Sequence, residues 1–225
     1  MNAQIQLSLK QDLPLGIAAA GLGAVGLWIE GKKPIGLTED QIANLNRMDI
    51  NRFDRIATYN WRPASQHASD VLMILSAATP FLLYLDKDMR QNKQGLKLLA
   101  LGAQSFAITI GLTNMTKRLA KRTRPYVYNS NVPMEERMER DARMSFFSGH
   151  TSVAAQGTFM FATFYSRTNR GSRLNPYIWA GAAALPLSTA FLRVRGGKHF
   201  PTDVIVGYVV GALTGYLIGR IHTPK

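Results

Sequence analysis

The sequence contains no cysteine among its 225 residues. Disulfide frameworks, cysteine-ligated zinc and thiol catalysis are therefore excluded. Acidic residues are also scarce, since Asp and Glu number 14 against 27 Lys and Arg, which gives a formal net charge of +13. A chain this basic favours anionic partners, which leaves three classes open: nucleic acid, an anionic membrane surface, or a phosphate-bearing substrate.

Charge is nearly absent from six stretches of the chain, which are 13–29, 71–85, 95–116, 148–166, 175–192 and 204–219. Most approach the roughly 17–25 residues that a helix needs to cross a bilayer. Several are apolar on every side, which is typical of a membrane span or of the core of a large protein. The sequence therefore predicts an all-α fold, a polytopic bundle of six transmembrane helices in a single domain over 1–225. The alternative is a soluble helical bundle, but a domain of this size can hardly bury six such helices.

The polar connections give further expectations. In the long connection 31–69, Thr38 and Gln41 have the spacing of a capping box, which predicts short helices at the membrane interface. The short loops 86–94 and 167–174 are basic and favour a cytoplasmic location. The loops on the other side hold still more Lys and Arg, so the charge count alone does not decide the orientation. The N-terminal stretch does not resemble a cleavable signal peptide.

The last apolar stretch has a regular pattern of small residues. Glycine recurs every four residues along it, at Gly207, Gly211, Gly215 and Gly219. Such a ridge lets two helices approach closely. The pattern predicts close packing of the last helix against a neighbour.

Three clusters of polar residues lie at the ends of the apolar stretches. They are "KRLAKRTRP" (Lys117–Pro125), "FSGH" (Phe147–His150) and the segment Arg193–Asp203. In a bundle that alternates up and down, the end of the third helix, the start of the fourth, the end of the fifth and the start of the sixth all lie on one side. The three clusters are therefore expected to converge on one face.

The residue types in these clusters suit phosphate chemistry. The cations Lys117, Arg124 and Arg193 would form a cage for phosphoryl oxygens. Ser148 and Gly149 stand where a helix begins, so that unpaired N–H groups can meet an anion. These clusters also contain two histidines and a carboxylate, which are His150, His199 and Asp203.

Asp203 follows His199 by four residues, so the two are expected on one helical face, where the carboxylate would orient the imidazole. Phosphoryl transfer through a phosphohistidine is the chemistry that these groups favour. The sequence predicts no metal and no cofactor, because it offers neither the carboxylate cluster that magnesium needs nor a close histidine pair.

The pattern Lys-x6-Arg-Pro, Ser-Gly-His and Arg-x5-His-x3-Asp, over 117–203, resembles the type 2 phosphatidic acid phosphatase superfamily. That family contains metal-independent lipid phosphatases, with soluble acid phosphatases and vanadium haloperoxidases as relatives. Two positions depart from its usual motifs. Phe147 replaces a proline before Ser-Gly-His, and Leu192 replaces a serine before Arg193, which puts the substrate subclass and the loop geometry in question.

The resemblance implies a role for each motif residue. His199 attacks phosphorus, Asp203 supports His199, and His150 protonates the leaving oxygen. The residues that hold the phosphoryl group are Lys117, Arg124, Ser148, Gly149 and Arg193. The implied substrate is a phosphorylated lipid of the polyprenyl diphosphate, phosphatidylglycerophosphate, phosphatidate or lipid A type, and nucleic acid is not a partner. The implied location is the bacterial inner membrane, with the site facing the periplasm or cell exterior.

Two other functions stay open at this point. One is a soluble or periplasmic acid phosphatase or a vanadate-dependent haloperoxidase of the same superfamily. The other is a non-catalytic protein that binds or transports anionic lipids. Among the polar residues outside the motif positions, His67 and His222 are expected to be solvated. Arg122 is expected to face solvent or headgroups or to touch substrate, and the run 133–143 is expected to be an exposed charged segment or a lid.

Overall fold

The computed structural model describes residues 5–30, 35–85 and 94–223, so most of the predicted basic loop 86–94 lies outside it. Six long helices run through the described residues: α1 (Leu9–Glu30), α2 (Pro63–Ala78), α3 (Gln94–Ala120), α4 (Gly149–Thr168), α5 (Asn175–Arg195) and α6 (Pro201–Ile221). A 3-10 segment, Thr79–Leu85, continues α2. Since these described residues contain no strand, the predicted all-α fold is confirmed.

Each of the six apolar stretches falls in one of these helices, but they are not alike. Within the residues that the structure describes, four helical segments are long and apolar enough to cross a membrane, and they are Pro63–Leu85, Gln94–Tyr128, Asn175–Arg195 and Pro201–Ile221. Large apolar side chains such as Leu75, Leu187 and Leu213 are exposed on their outer faces, as expected of helices that face lipid. The chain is therefore an integral membrane protein, whereas the count of six spans stays a prediction.

Helix α4 differs from the others because it forms the centre of the bundle. It packs against α2, α3, α5 and α6. Most of its side chains are buried, including the polar Ser152, Gln156 and Thr158. Two of these groups bond inside the protein: Gln156 Nε2 donates to Ser105 Oγ at 3.0 Å, and Thr158 Oγ1 donates to the carbonyl oxygen of Ala182 at 2.9 Å. Enclosure by other helices explains why α4 tolerates a polar composition.

The glycine ridge of α6 faces the backbone of α4, so this prediction is confirmed. A Cβ added at Gly207 would lie 2.5 Å from the carbonyl oxygen of Ser148. A Cβ at Gly211 would collide with the carbonyl oxygen of Ser152, and one at Gly215 with that of Gln156. The absence of side chains thus brings the two helices into direct backbone contact and fixes where the start of α6 lies beside the start of α4.

We expect Gly211→Ala to lower the thermal unfolding midpoint in detergent micelles, because the added methyl group meets backbone that cannot rotate away. Overpacking of this kind costs about 1–3 kcal/mol. The matched control is Gly181→Ala in α5, where no atom lies within 4 Å of the new Cβ. That change should leave the midpoint unchanged or raise it slightly. Equal midpoints for the two variants would mean that the ridge is not a tight contact.

The polar connection between α1 and α2 packs against the one between α3 and α4, at the end of the bundle where the three polar clusters are expected. The first contains the one-turn helices Glu39–Ala43 and Arg52–Arg55 with 3-10 turns, and the second contains the one-turn helix Met134–Met138. The capping box is confirmed, because Thr38 Oγ1 accepts from Gln41 N and Thr38 N donates to Gln41 Oε1, both at 3.2 Å. A shared hydrophobic cluster joins the connections, formed by Leu37, Ile42, Tyr126, Val127, Val132 and Ala142. They form a folded cap over this end of the bundle.

At the opposite end of the bundle, His222 joins the first and last helices. The prediction that His222 is solvated is wrong, because the residue has no exposed surface. Its Nδ1 lies 2.7 Å from the carbonyl oxygen of Ile218, and its Nε2 lies 2.8 Å from Asp12 Oδ1. His67, in contrast, is exposed on α2 as expected.

Candidate active site

The structure brings the three polar clusters together at one end of the bundle. Arg124 Nη1 lies 3.3 Å from His199 Nε2, which joins the first cluster to the third. Ser148 N donates to the carbonyl oxygen of Asp203 at 3.0 Å, which joins the second to the third. A Cβ built at Gly149 would lie 3.9 Å from Lys117 Nζ, so the first and second clusters also meet. Helix alternation therefore predicted the convergence correctly.

His199 is held in a tight return between α5 and α6. Helix α5 ends at Arg195, and Gly197 takes a φ of +74°, a conformation that side chains rarely adopt. Lys198 N then donates to the carbonyl oxygen of Arg193 at 3.1 Å. Pro201 opens α6, where its fixed φ suits a first turn. This return leaves His199 fully buried and just outside the helix that contains Asp203.

The hydrogen bond from Arg124 assigns the tautomer of His199. A guanidinium group can only donate, so His199 Nε2 must accept with its lone pair, and the proton of a neutral ring lies on Nδ1. That Nδ1 lies 3.6 Å from Asp203 Oδ2. Because this distance exceeds a hydrogen bond, Nδ1 has no partner among the described residues. A small approach of the carboxylate would complete the expected His–Asp pair.

Electrostatics favour the neutral form of His199. Burial lowers the pKa of His199 well below its usual value, and the positive charges of Arg124, Lys117 and Arg193 lower it further. A neutral imidazole with an unprotonated Nε2 is the form in which histidine is a nucleophile. The same surroundings would stabilise negative charge brought beside the ring.

Asp203 is held by three donors. Its Oδ2 accepts from Ser145 Oγ at 2.5 Å and from Phe200 N at 2.9 Å, and its Oδ1 accepts from Arg122 Nη1 at 2.5 Å. The carboxylate is fully buried. These contacts fix it beside His199, although none of the three donors was assigned this role from the sequence.

Arg122 links Asp203 to the first connection of the cap. Its Nη2 donates to Asp54 Oδ2 at 2.7 Å, and Thr202 donates to the same carboxylate through both N and Oγ1. Burial alone would raise the pKa of Asp54, but the hydrogen bonds from Thr202 and Arg122 hold it below its usual value. Arg122 therefore bridges two carboxylates, a role that the sequence did not predict.

Arg124 fastens the second connection to the site. It is 3% exposed, and its Nε and Nη2 donate to the carbonyl oxygen and to Oδ1 of Asp141, both at 2.9 Å. Its Nη1 donates to the carbonyl oxygen of Lys198 at 2.9 Å. Burial would raise the pKa of Asp141, but Arg124 and Lys117 lower it overall. The run 133–143 is thus a bonded wall of the site through Asp141 as well as a charged surface.

Ser148 is the N-cap of α4, as the sequence predicted for the start of this helix. Its Oγ lies 3.0 Å from Thr151 Oγ1 and accepts from Thr151 N at 3.4 Å. The hydroxyl is buried and engaged in capping. Gly149 opens the helix, where the first N–H groups lack intrahelical acceptors. A role for this turn in holding a phosphoryl group would therefore rest on backbone N–H groups more than on the Ser148 hydroxyl.

Asp70 is an acidic residue beside His150 and Arg193 that sequence reasoning missed. Its Oδ1 lies 2.8 Å from His150 Nε2 and 3.1 Å from Arg193 Nη1. Arg193 Nη1 also donates to Ser69 Oγ at 3.2 Å. The signal that could have found this pair is topological. Helix α2 begins on the same side as α4 and α6, so the polar Ser69 and Asp70 before an apolar stretch had to lie near the clusters.

Among residues 5–30, 35–85 and 94–223, no three His, Cys, Asp or Glu side chains are grouped so that they could hold a metal ion.

Known proteins are similar to this chain in sequence and in architecture. The family model of the PAP2 superfamily matches residues 98–225. Phospholipid phosphatase 1 of Rattus norvegicus is 29% identical over 96 residues, which are 41% of this chain and 34% of that protein. A PA-phosphatase related-family protein of Dictyostelium discoideum is 28% identical over 158 residues, which are 66% of this chain and 58% of that protein. The chain thus matches about a third to somewhat over half of the length of these relatives.

A solved structure has the same fold. The transmembrane PAP2 type phosphatidylglycerolphosphate phosphatase of Bacillus subtilis aligns with a TM-score of 0.55 and 21% sequence identity, and the alignment covers 91% of this chain and 96% of that one. At this identity the match establishes the fold alone. The alignment extends well beyond the segment that contains the motifs.

Proposed function

Because the chain belongs to the PAP2 superfamily, we propose that it is a membrane phosphatase that hydrolyses a phosphate monoester or diphosphate on a lipid. The observation that carries the proposal is the state of His199. It is a buried, neutral imidazole whose Nε2 lone pair is fixed by Arg124. A purely structural role does not explain why a histidine is buried among so many cations. A role as nucleophile towards an anionic phosphoryl group explains it.

The reaction has two transfers. His199 Nε2 forms a bond to phosphorus while the bond from phosphorus to the lipid oxygen breaks, and His150 gives that oxygen a proton. Water then attacks the phosphohistidine, His150 takes the proton, and inorganic phosphate leaves with the His199 lone pair restored. As His199 acquires positive charge, Asp203 lies on its Nδ1 side to stabilise the imidazolium. No metal or cofactor enters either step.

The positive charge beside His199 supports a phosphoryl-binding role for Lys117, Arg124 and Arg193. Preorganised donors of this kind stabilise the charge that develops on the transferred group. Gly149 would let an equatorial oxygen approach the start of α4, next to Lys117 Nζ. The N-cap Ser148 completes this proposed phosphate-binding set by holding that turn.

We further propose that all six long helices cross the bilayer, so that the site lies at one membrane face near the headgroups. In a bacterium this would be the inner membrane, with the site towards the periplasm or exterior. The relatives are a phospholipid phosphatase and a phosphatidylglycerolphosphate phosphatase by name. These names make phosphatidate and phosphatidylglycerophosphate the first substrates to try, followed by polyprenyl diphosphates and lipid A phosphates.

The test is phosphate release from a panel of these lipids in mixed micelles, with and without EDTA. We expect turnover of at least one lipid phosphate, equal in both conditions. Binding of the lipids without any turnover would favour the non-catalytic alternative. Turnover confined to water-soluble esters would favour an activity of the acid phosphatase type, and loss of activity in EDTA would contradict the metal-independent mechanism.

A further inference from the structure

Asp70 lies between the proposed acid and one of the proposed phosphate-binding cations. It is on the second turn of α2, whereas His150 is at the start of α4 and Arg193 is near the end of α5. One oxygen, Oδ1, contacts both partners, at 2.8 Å from His150 Nε2 and 3.1 Å from Arg193 Nη1. A single carboxylate thus fixes the relative position of residues from two other helices.

The contact decides which nitrogen of His150 can give a proton to substrate. A carboxylate can only accept, so His150 Nε2 carries a hydrogen that is committed to Asp70. A proton for the leaving oxygen must then come from Nδ1, and His150 must be doubly protonated before it acts. This is the arrangement by which the carboxylate of a catalytic triad holds an imidazole and stabilises its charged form.

The charged form of His150 needs this help. The charged or titratable groups around it are Lys117 from α3, Arg193 from α5, His199 from the return before α6, and Asp70 from α2. Lys117 and Arg193 repel an imidazolium, whereas Asp70 attracts it. Asp70 is therefore the group in this set that offsets the cationic surroundings which suit the nucleophile but oppose the acid.

We propose that Asp70 is a positioning residue for the general acid His150, which it orients through Nε2 and whose charged form it stabilises. The proposal rests on the proposed phosphatase function. The two histidines of the site would then have opposite requirements, each met by its own neighbours. Arg124 keeps Nε2 of His199 unprotonated, and Asp70 keeps Nε2 of His150 occupied so that Nδ1 donates.

The test compares wild type with Asp70→Asn on two esters that differ in their need for an acid. An alkyl phosphate has a poor leaving group that requires protonation, whereas p-nitrophenyl phosphate releases a stable anion. We expect kcat/KM for the alkyl ester to fall on the order of 10²-fold, the lower end of the contribution of general acid–base catalysis. The fall for the nitrophenyl ester should be several-fold at most. Loss of a merely structural contact, or of the Arg193 contact alone, would lower both values equally.

The pH profile of kcat/KM on the alkyl ester gives a second readout. Without the carboxylate, His150 loses its proton more readily, so the alkaline limb of Asp70→Asn should move to lower pH. In a His150→Asn background, adding Asp70→Asn should cause little further loss. The matched control is Asp12→Asn, which changes the carboxylate that contacts His222 at the far end of the bundle. Asp12→Asn should leave unchanged both the ratio of the kcat/KM values for the two esters and the pH profile of kcat/KM.

Equal losses on the two esters, an unmoved alkaline limb, or fully additive losses with His150→Asn would overturn the role of Asp70. None of these results would affect the proposed function, provided that the wild type hydrolyses phosphate esters and His199→Ala does not. If the wild type hydrolyses neither ester nor any lipid of the panel, the function fails, and the inference fails with it.

Discussion

Replacing His199 with alanine is expected to abolish phosphate release while the protein still folds. Removal of a catalytic nucleophile typically costs on the order of 10⁶-fold in kcat, and alanine offers no lone pair in place of Nε2. The fold should survive because His199 makes a single side-chain hydrogen bond, to Arg124, among the described residues. Phosphate release from the preferred lipid measures activity, while helical circular dichroism and gel filtration in detergent measure folding.

The control for this experiment is His67→Ala, which removes an exposed histidine from α2. It should retain full activity and an unchanged elution profile. Turnover near the wild-type value in folded His199→Ala would contradict the proposed mechanism, because another group would then have to attack phosphorus.

The second large effect is expected at Arg124, for which lysine is not a conservative replacement. The guanidinium bonds at once to Asp141, to the carbonyl oxygen of Lys198 and to His199 Nε2. A lysine ammonium keeps the charge but cannot reproduce this planar fork. We expect Arg124→Lys to lower kcat/KM by about 10²- to 10³-fold, the loss typical of removing one preorganised donor.

Inhibition by inorganic phosphate separates the two roles of Arg124. If Arg124 binds the phosphoryl group, the Arg124→Lys variant should bind inorganic phosphate more weakly than the wild type does. Asp141→Asn, which loosens only its anchor in the wall 133–143, should bind phosphate nearly as well as wild type. Arg140→Lys changes an exposed arginine of the same wall and should have no effect. Unchanged phosphate inhibition in Arg124→Lys would restrict this residue to a structural role.

The parts of the site that follow from local rules could be predicted from the sequence. Ser148 caps α4 and Pro201 opens α6 because short-range backbone chemistry decides where helices begin. The convergence of the three clusters followed from helix alternation alone. The family resemblance is confirmed by the matching family model over 98–225.

The contacts that support the motif residues could not be predicted, because they join segments far apart in the chain. Arg122 meets Asp54 across 68 positions, and Arg193 meets Asp70 across 123. The sequence around an arginine in a basic run does not show whether the side chain faces lipid or a buried carboxylate. The prediction that His222 is solvated was wrong for the same reason, because its partner Asp12 lies 210 positions away.

The spacing of His199 and Asp203 was informative but incomplete. Four residues would place both on one face of a helix, yet α6 begins only at Pro201. His199 Nδ1 still lies 3.6 Å from Asp203 Oδ2. The return through Gly197 brings the residues before α6 back over the first turn of that helix. A glycine with positive φ indicates such a return, but its direction depends on packing against Asn60 and Tyr126.

The central claim is a covalent phosphoryl group on His199, and trapping that group tests it most directly. The protein is mixed briefly with a lipid substrate that is radiolabelled in its phosphate, quenched without acid because phosphohistidine is acid-labile, and digested for mass spectrometry. The mechanism predicts labelled phosphate on the peptide that contains His199, and none in His199→Ala. Catalytic turnover with no labelled protein at any quench time, or with label on His150 instead, would contradict it.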